Sequence, residues 1–234
     1  MGAIYKKELQ SYFTTPIGYI CLGVFLFFFN MFFVQMILNL SSDVTNLFAG
    51  GNIMFMLLFV PILTMRLFSE ERKTKTEQIL LTSPVSLTGI VLGKFFAAFT
   101  LYAIGLALTI PDMVILFIYG TPGFWVVVGN YFGMLLLGAL MIAIGVFISA
   151  LTENQIIACI LSFAVLFMLY LIDFLIVLIP FDWVSTIIVW ASVYKRYSDF
   201  TQGIFNPAAV IYYCSITAVF IFLTVRAMEK RRWS

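Results

Sequence analysis

Residues 126–151 (VVVGNYFGMLLLGALMIAIGVFISAL), the break Thr152-Glu-Asn154, and residues 155–179 (QIIACILSFAVLFMLYLIDFLIVLI) decide the fold. The whole stretch carries two charged residues, Glu153 and Asp173. Each run exceeds the roughly 20 apolar residues that take a helix through a bilayer. The break leaves room only for a tight turn, so the two runs read as consecutive membrane crossings.

Four further stretches, residues 17–38, 53–68, 91–119 and 207–228, have the same character. The second is short, and Pro61 is expected to kink it; Pro111 is expected to bend the third, which is long enough to tilt or project. Hydrophobic residues make up 63% of the chain, charged residues 10%, and mean hydropathy is +1.08. A soluble domain holds about a quarter charged residues, so water is the wrong solvent for this chain. A net charge of +2 gives no basis for nucleic-acid binding. The first apolar run is too long for a secretory leader and lacks a small-residue cleavage site, so no cleavable signal is expected. Cys21, Cys159 and Cys214 all fall in apolar runs without metal or redox spacing and read as small hydrophobes.

Basic residues orient the spans. With the N-terminus inside, the inner segments hold Lys6, Lys7, Arg66, Arg72, Lys73, Lys75, Lys94, Arg226, Lys230, Arg231 and Arg232, eleven of the thirteen. Only Lys195 and Arg196 fall outside. The expected fold is therefore all-α, with six transmembrane helices in one domain and both termini cytoplasmic. Residues 39–52 read as a short polar outer turn, and Gly120-Thr-Pro-Gly123 as a tight one.

The inner connection Ser69-Glu-Glu-Arg-Lys-Thr-Lys-Thr-Glu-Gln-Ile-Leu-Leu-Thr-Ser-Pro84 is densely charged. Thr74 and Glu77 have the spacing of a capping box, predicting a helix over 75–81 that stops before Pro84. Ser86 or Thr88 is placed to cap the third span. The short helix either rests on lipid headgroups or docks a cytosolic partner. At the N-terminus, Tyr5, Leu9, Tyr12 and Phe13 share a face opposite Lys6, Lys7 and Gln10, the pattern of an interfacial helix.

The loop from Phe68 to Lys94 resembles the connection between spans two and three of ABC-2-type transporter permeases. Glu71, Arg72, Thr76, Glu77, Leu80, Leu81, Pro84, Val85, Gly93 and Lys94 fall on the family pattern. The N-terminal Tyr5-Lys-Lys-Glu-Leu-Gln-Ser-Tyr-Phe13 followed by Pro16-Ile-Gly-Tyr19 is also similar. So are Ser198-Asp-Phe200, Gly203-Ile-Phe-Asn-Pro207 and the tail Lys230-Arg-Arg-Trp233. The likeness is closest to the gliding-motility-associated permease group. It implies a type V exporter-like fold: an N-terminal amphipathic helix over residues 1–16, a coupling-helix loop over 69–90, and an outer re-entrant hairpin over 180–206.

The same resemblance implies an exporter subunit in a bacterial cytoplasmic membrane, without a catalytic site of its own. Two permease chains, copies or relatives, would form the pathway. Separate cytosolic ATPase subunits would bind ATP and Mg, and an accessory membrane protein with a large outer domain would accompany them. Glu70, Glu71, Arg72, Thr76, Glu77, Leu80, Leu81 and Pro84 would form the ATPase contact, with Glu153 as a second, minor one. A membrane scaffold that binds an ABC ATPase without transporting is the alternative, and a self-sufficient channel or secondary transporter the third.

No site for ATP chemistry is legible in this chain. Gly89-x-x-x-Gly93-Lys94-Phe95 is one residue short of a phosphate loop and has Phe where Ser or Thr must hold Mg. There is no histidine, which excludes Ser-His hydrolysis and a His-ligated metal. Asp112 and Asp173 lie toward the outer ends of spans three and five, as pathway or gate groups or as acids hydrated at the interface. The Gly-x-Gly-Asp signature of intramembrane aspartyl proteases is absent. Asn30, deep in span one, is either helix-packing glue or a substrate contact. Gly129-x-x-x-Gly133 in span four marks a close helix approach, expected within the subunit.

Overall fold

The computed structural model describes residues 1–39, 41, 43–76, 78, 85–176 and 192–232, with the side chains of 173–176 and 232 outside that description. Among the described residues every regular element is an α-helix. They are α1 (Gly2–Thr14), α2 (Pro16–Leu38), α3 (Val44–Ala49), α4 (Gly51–Thr64), α5 (Arg66–Lys73) and α6 (Leu87–Ala107). After these come α7 (Ile110–Tyr119), α8 (Phe124–Leu151), α9 (Gln155–Ile176), α10 (Val193–Thr201) and α11 (Pro207–Arg232). Six stretches are long and apolar enough to cross a membrane: α2, the α3–α5 series, the α6–α7 pair, α8, α9 and α11.

The chain breaks its helices where its residues require it. Pro111 has no N–H to continue the α6 ladder, and the helix ends at Ala107, one turn earlier, as expected from the sequence. The freed backbone is partly served by Thr109, whose hydroxyl donates to the Leu106 carbonyl at 2.8 Å. Pro61 lies inside α4, which continues to Thr64 before α5 begins at Arg66. The Ser86 hydroxyl accepts from the Gly89 amide at 3.2 Å and caps α6, one of the two caps expected. Residues 39–52 hold more order than a polar turn. Val44, Leu47 and Phe48 are buried on one face of α3, and Asp43 caps it by accepting from the Thr45 amide at 3.0 Å.

Span four is the axis of the bundle. Helix α8 packs against α3, α4, α5, α6, α9, α10 and α11, whereas α2 and α9 leave broad apolar faces exposed. Missing side chains on α8 make this possible. A Cβ on Gly138 would run into the Tyr102 ring of α6, and one on Gly145 would lie 2.9 Å from Thr64 Cβ on α4. A Cβ on Gly133 would meet Phe200 Cβ at 2.8 Å and Tyr197 Cε2 at 2.9 Å, so the glycine pair at 129 and 133 receives α10. Close packing of this kind replaces the hydrophobic drive that lipid cannot supply. The buried hydroxyl of Tyr102 donates to the Met134 carbonyl at 2.9 Å, locking the ring in the gap.

Gly138→Leu is expected to lower the melting temperature of the detergent-solubilised protein, because overpacking a filled gap costs about 1–3 kcal/mol. Gly23→Ala, at a glycine whose Cβ would meet nothing within 4 Å, is the neutral control. Equal melting temperatures for the two variants would contradict this account of α8.

Candidate functional site

The charged stretch after span two begins as helix α5, and the rest of the molecule holds that helix unusually firmly. A helix start leaves backbone N–H groups without intrahelical acceptors. Here the acceptor comes from another span: Ser149 Oγ of α8 accepts from the Phe68 amide at 3.1 Å and the Ser69 amide at 3.3 Å. The same hydroxyl donates to the Met65 carbonyl at 3.0 Å, which also accepts from Ser69 Oγ. Helix α5 is thus capped by a residue 80 positions later in the chain.

One flank of α5 is fastened by a buried lysine. Lys94, two turns into α6, has a side chain 1% exposed. Its Nζ lies 2.9 Å from Glu8 Oε1 of α1, 2.9 Å from Glu71 Oε1 of α5 and 2.6 Å from the Leu67 carbonyl of α5. An ammonium has three donors, and three acceptors meet it. The Phe68 ring lies 5.1 Å from the same nitrogen. Lys7 adds a looser contact to Glu71 at 3.8 Å.

Helix α1 fits α6 because Gly93 lets it approach; a Cβ there would come within 3.2 Å of Ile4 Cβ and the Tyr5 amide nitrogen. Tyr5 Oη and Thr100 Oγ1 are 3.0 Å apart. Buried Tyr12 donates to the Leu63 carbonyl at 3.0 Å, under the Arg66 guanidinium at 4.7 Å. Burial pushes the Tyr12 phenol well above its ordinary pKa, partly opposed by Arg66, and so keeps it a donor.

The other flank of α5 is fastened to the turn between α8 and α9. Arg72 reaches Glu153 Oε1 at 2.8 Å and donates to the Leu151 carbonyl at 3.0 Å. Adjacent residues Glu71 and Arg72 therefore grip opposite neighbours. Between α1 and α5 lies a cleft of about 180 Å³ whose lining includes Lys7, Glu8, Ser11, Arg66, Glu70 and Thr76. Among the described residues, Glu71 Oε2 is buried there without a hydrogen-bond partner.

The structure brings Glu71, Arg72 and Glu153 together at one end of the bundle, with Glu70 exposed beside them. Thr76 follows in the turn, its hydroxyl 3.0 Å from Thr74 Oγ1. Thr74 does not open a helix, contrary to the capping-box reading. It closes α5, with its hydroxyl donating to the Glu70 carbonyl at 2.9 Å, and Lys75 turns left-handed at φ 57°. That conformation stops a helix rather than starting one. Gln78 is again helical, while Glu77, Leu80, Leu81 and Pro84 lie outside the described residues.

At the opposite end, α10 is docked on α8 through buried Asn130, which sequence reading overlooked because an isolated asparagine in an apolar run carries no motif. Its Nδ2 donates to the carbonyls of Val126 and Thr201 at 2.7 and 3.3 Å, and its Oδ1 accepts from Tyr197 at 3.3 Å. Asp112 opens α7 beside the Thr109–Tyr131 hydroxyl pair, with Oδ2 buried and unpartnered among the described residues. Asn30 is exposed on α2, in a shallow groove lined, among the described residues, by that helix, and donates to its own Leu26 carbonyl at 2.9 Å. Asp173 lies on α9 with its side chain outside the description, and residues 180–191 of the expected outer hairpin lie outside the described residues.

Residues 38–227 match a family model described as ABC-2 family transporter protein. No curated protein matches the chain.

Ser149→Ala is expected to destabilise this end of the bundle by about 1–3 kcal/mol, since it leaves buried backbone donors without an acceptor. Amide exchange should accelerate at Phe68 and Ser69 and stay unchanged in the middle of α11. Unchanged exchange at both amides would remove Ser149 as the cap of α5.

Proposed function

This chain belongs to the ABC-2 family of transporter proteins, and we propose that it is the permease subunit of an ATP-driven exporter, coupled to a separate cytosolic ATPase. The observation that carries the reading is helix α5, gripped on one flank by Lys94 and on the other by Glu153, with a charged turn leading away from it. A loop that only joined two spans would not need that bracing. A loop that takes a push from another protein would, because a load on a slack segment is lost before it reaches the spans.

In this reading the end of the bundle holding α1, α5 and the Glu153 turn faces the cytoplasm of a bacterial cell, and both termini lie there. Basic residues support it: Lys6, Lys7, Arg66, Arg72, Lys73, Lys75 and Lys94 all belong to that end. Glu70 and Thr76 are exposed for contact, and residues 77–84 complete the coupling segment. ATP binding closes the paired ATPases, the loop moves with them, and the spans of two permease chains shift to alternate access between the two sides. The exposed faces of α2 and α9 are the surfaces on which a second permease packs. On α2, Asn30 has amide capacity beyond its bond to Leu26, which an interchain hydrogen bond would use. Asp112 and Asp173 would then be polar groups on or near the pathway at the outer side. An accessory membrane protein with an outer domain would complete the assembly.

Affinity capture of the full chain from native membranes in mild detergent is expected to recover an ATPase with Walker motifs. Glu70→Lys is expected to reduce that recovery at least about tenfold, roughly 1.4 kcal/mol of binding. Capture of no ATPase would sink the permease reading. An ATPase stimulated by the chain in vesicles from which no solute moves would instead make the chain a scaffold.

A further inference from the structure

We propose that Lys94 is a positioning residue that makes α1, α5 and α6 move as one body, so that displacement of the segment after α5 is delivered to the third span and the N-terminal helix together. The purpose given to this clamp rests on the permease reading; its mechanical content does not. Three elements far apart in sequence meet at one nitrogen. Glu8 is 86 positions from Lys94, and Leu67 is 27. The side chain is 1% exposed, and its nitrogen makes two hydrogen bonds and a further ion pair, all within 2.9 Å.

Charge balance shows why the three helices must move together. Lys94 and Lys7 face Glu8 and Glu71, two charges of each sign. Moving α1 alone away from α6 would take Glu8 from the ammonium. Moving α5 alone would take both Glu71 and the Leu67 carbonyl. Either displacement breaks one of the two ion pairs at the buried ammonium and leaves it short of an acceptor, and breaking such a pair from one side costs more than the pair is worth as a stabiliser. Displacing all three together strands nothing. Gly93 works in the same sense, since it lets the α1 backbone seat directly against α6 beside the lysine. The clamp differs in kind from the Arg72–Glu153 pair, whose glutamate is 72% exposed.

Lys94→Met tests this, because methionine nearly preserves the shape and removes the charge. In lipid nanodiscs holding the full chain, amide exchange should rise about tenfold or more in α1 and α5 alike and stay unchanged in α8 and α11. Glu8→Gln should loosen α1 while leaving α5 as it was. A lysine that merely filled space would leave Lys94→Met neutral, and that result overturns the proposal. So does a rise spread evenly over all spans, which is general destabilisation. Should Lys94→Met fail to accumulate, Glu8→Gln decides alone, and unchanged exchange in α1 overturns the clamp.

A second arm uses the chain assembled with its captured ATPase. A non-hydrolysable ATP analogue should alter exchange in α5 and α1 together in the natural chain, and in α5 alone in Lys94→Met. An equal response of α1 in both overturns the proposal. Failure to capture any ATPase ends the permease reading and leaves the nanodisc result standing on its own.

Discussion

An ammonium group taken out of water must be surrounded by acceptors, and that requirement organises one whole end of this protein. Lys94 lies within a helix that carries no other charge, so its own can be kept only if other elements bring oxygen to it. Glu8, Glu71 and the Leu67 carbonyl do so. Satisfying one nitrogen thus ties α1, α5 and α6 together at this end of the bundle.

The opposite principle governs the middle of the bundle. There the contacts of α8 depend on atoms that are absent, and glycines at 133, 138 and 145 admit α10, α6 and α4 in turn. Polar groups on α6 and α8 here find acceptors on their own helix or on the helices packed around them, as Tyr102 finds Met134 and Asn130 finds Val126 and Thr201. The molecule therefore combines a core set by shape with an end set by charge. Shape holds the spans in register. Charge decides which of them travel together.

Much of this was legible in the sequence. Span number and the bend before Pro111 followed from apolar run length and from proline's missing donor, both local properties. The Ser86 cap and the within-subunit role of the Gly129–Gly133 pair were also readable. The site was only half readable. Glu71 and Arg72 stood out as charges in a loop, but the sequence could not say that they point to opposite neighbours. Thr74 misled, because the same side chain that can open a helix can equally bond back to the turn behind it, as it does to Glu70. Ser149 could be read only as a small packing residue, and its capping role, like the docking role of Asn130, was missed because the partners lie some 70 to 80 residues away in the chain. Long-range caps have no spacing signature.

The distance between Glu8 and Lys94 also has a consequence for biosynthesis. Helix α1 is made before α6, and the group that neutralises its glutamate arrives 86 residues after it. At about 5–20 residues per second, this leaves the carboxylate waiting roughly 4–17 s while two spans are inserted. During that interval α1 must remain on the aqueous surface, since Glu8 cannot follow the apolar face of its helix into lipid alone. Helix α1 is in this sense synthesised well before it can be locked, and span three acts as the checkpoint for its docking.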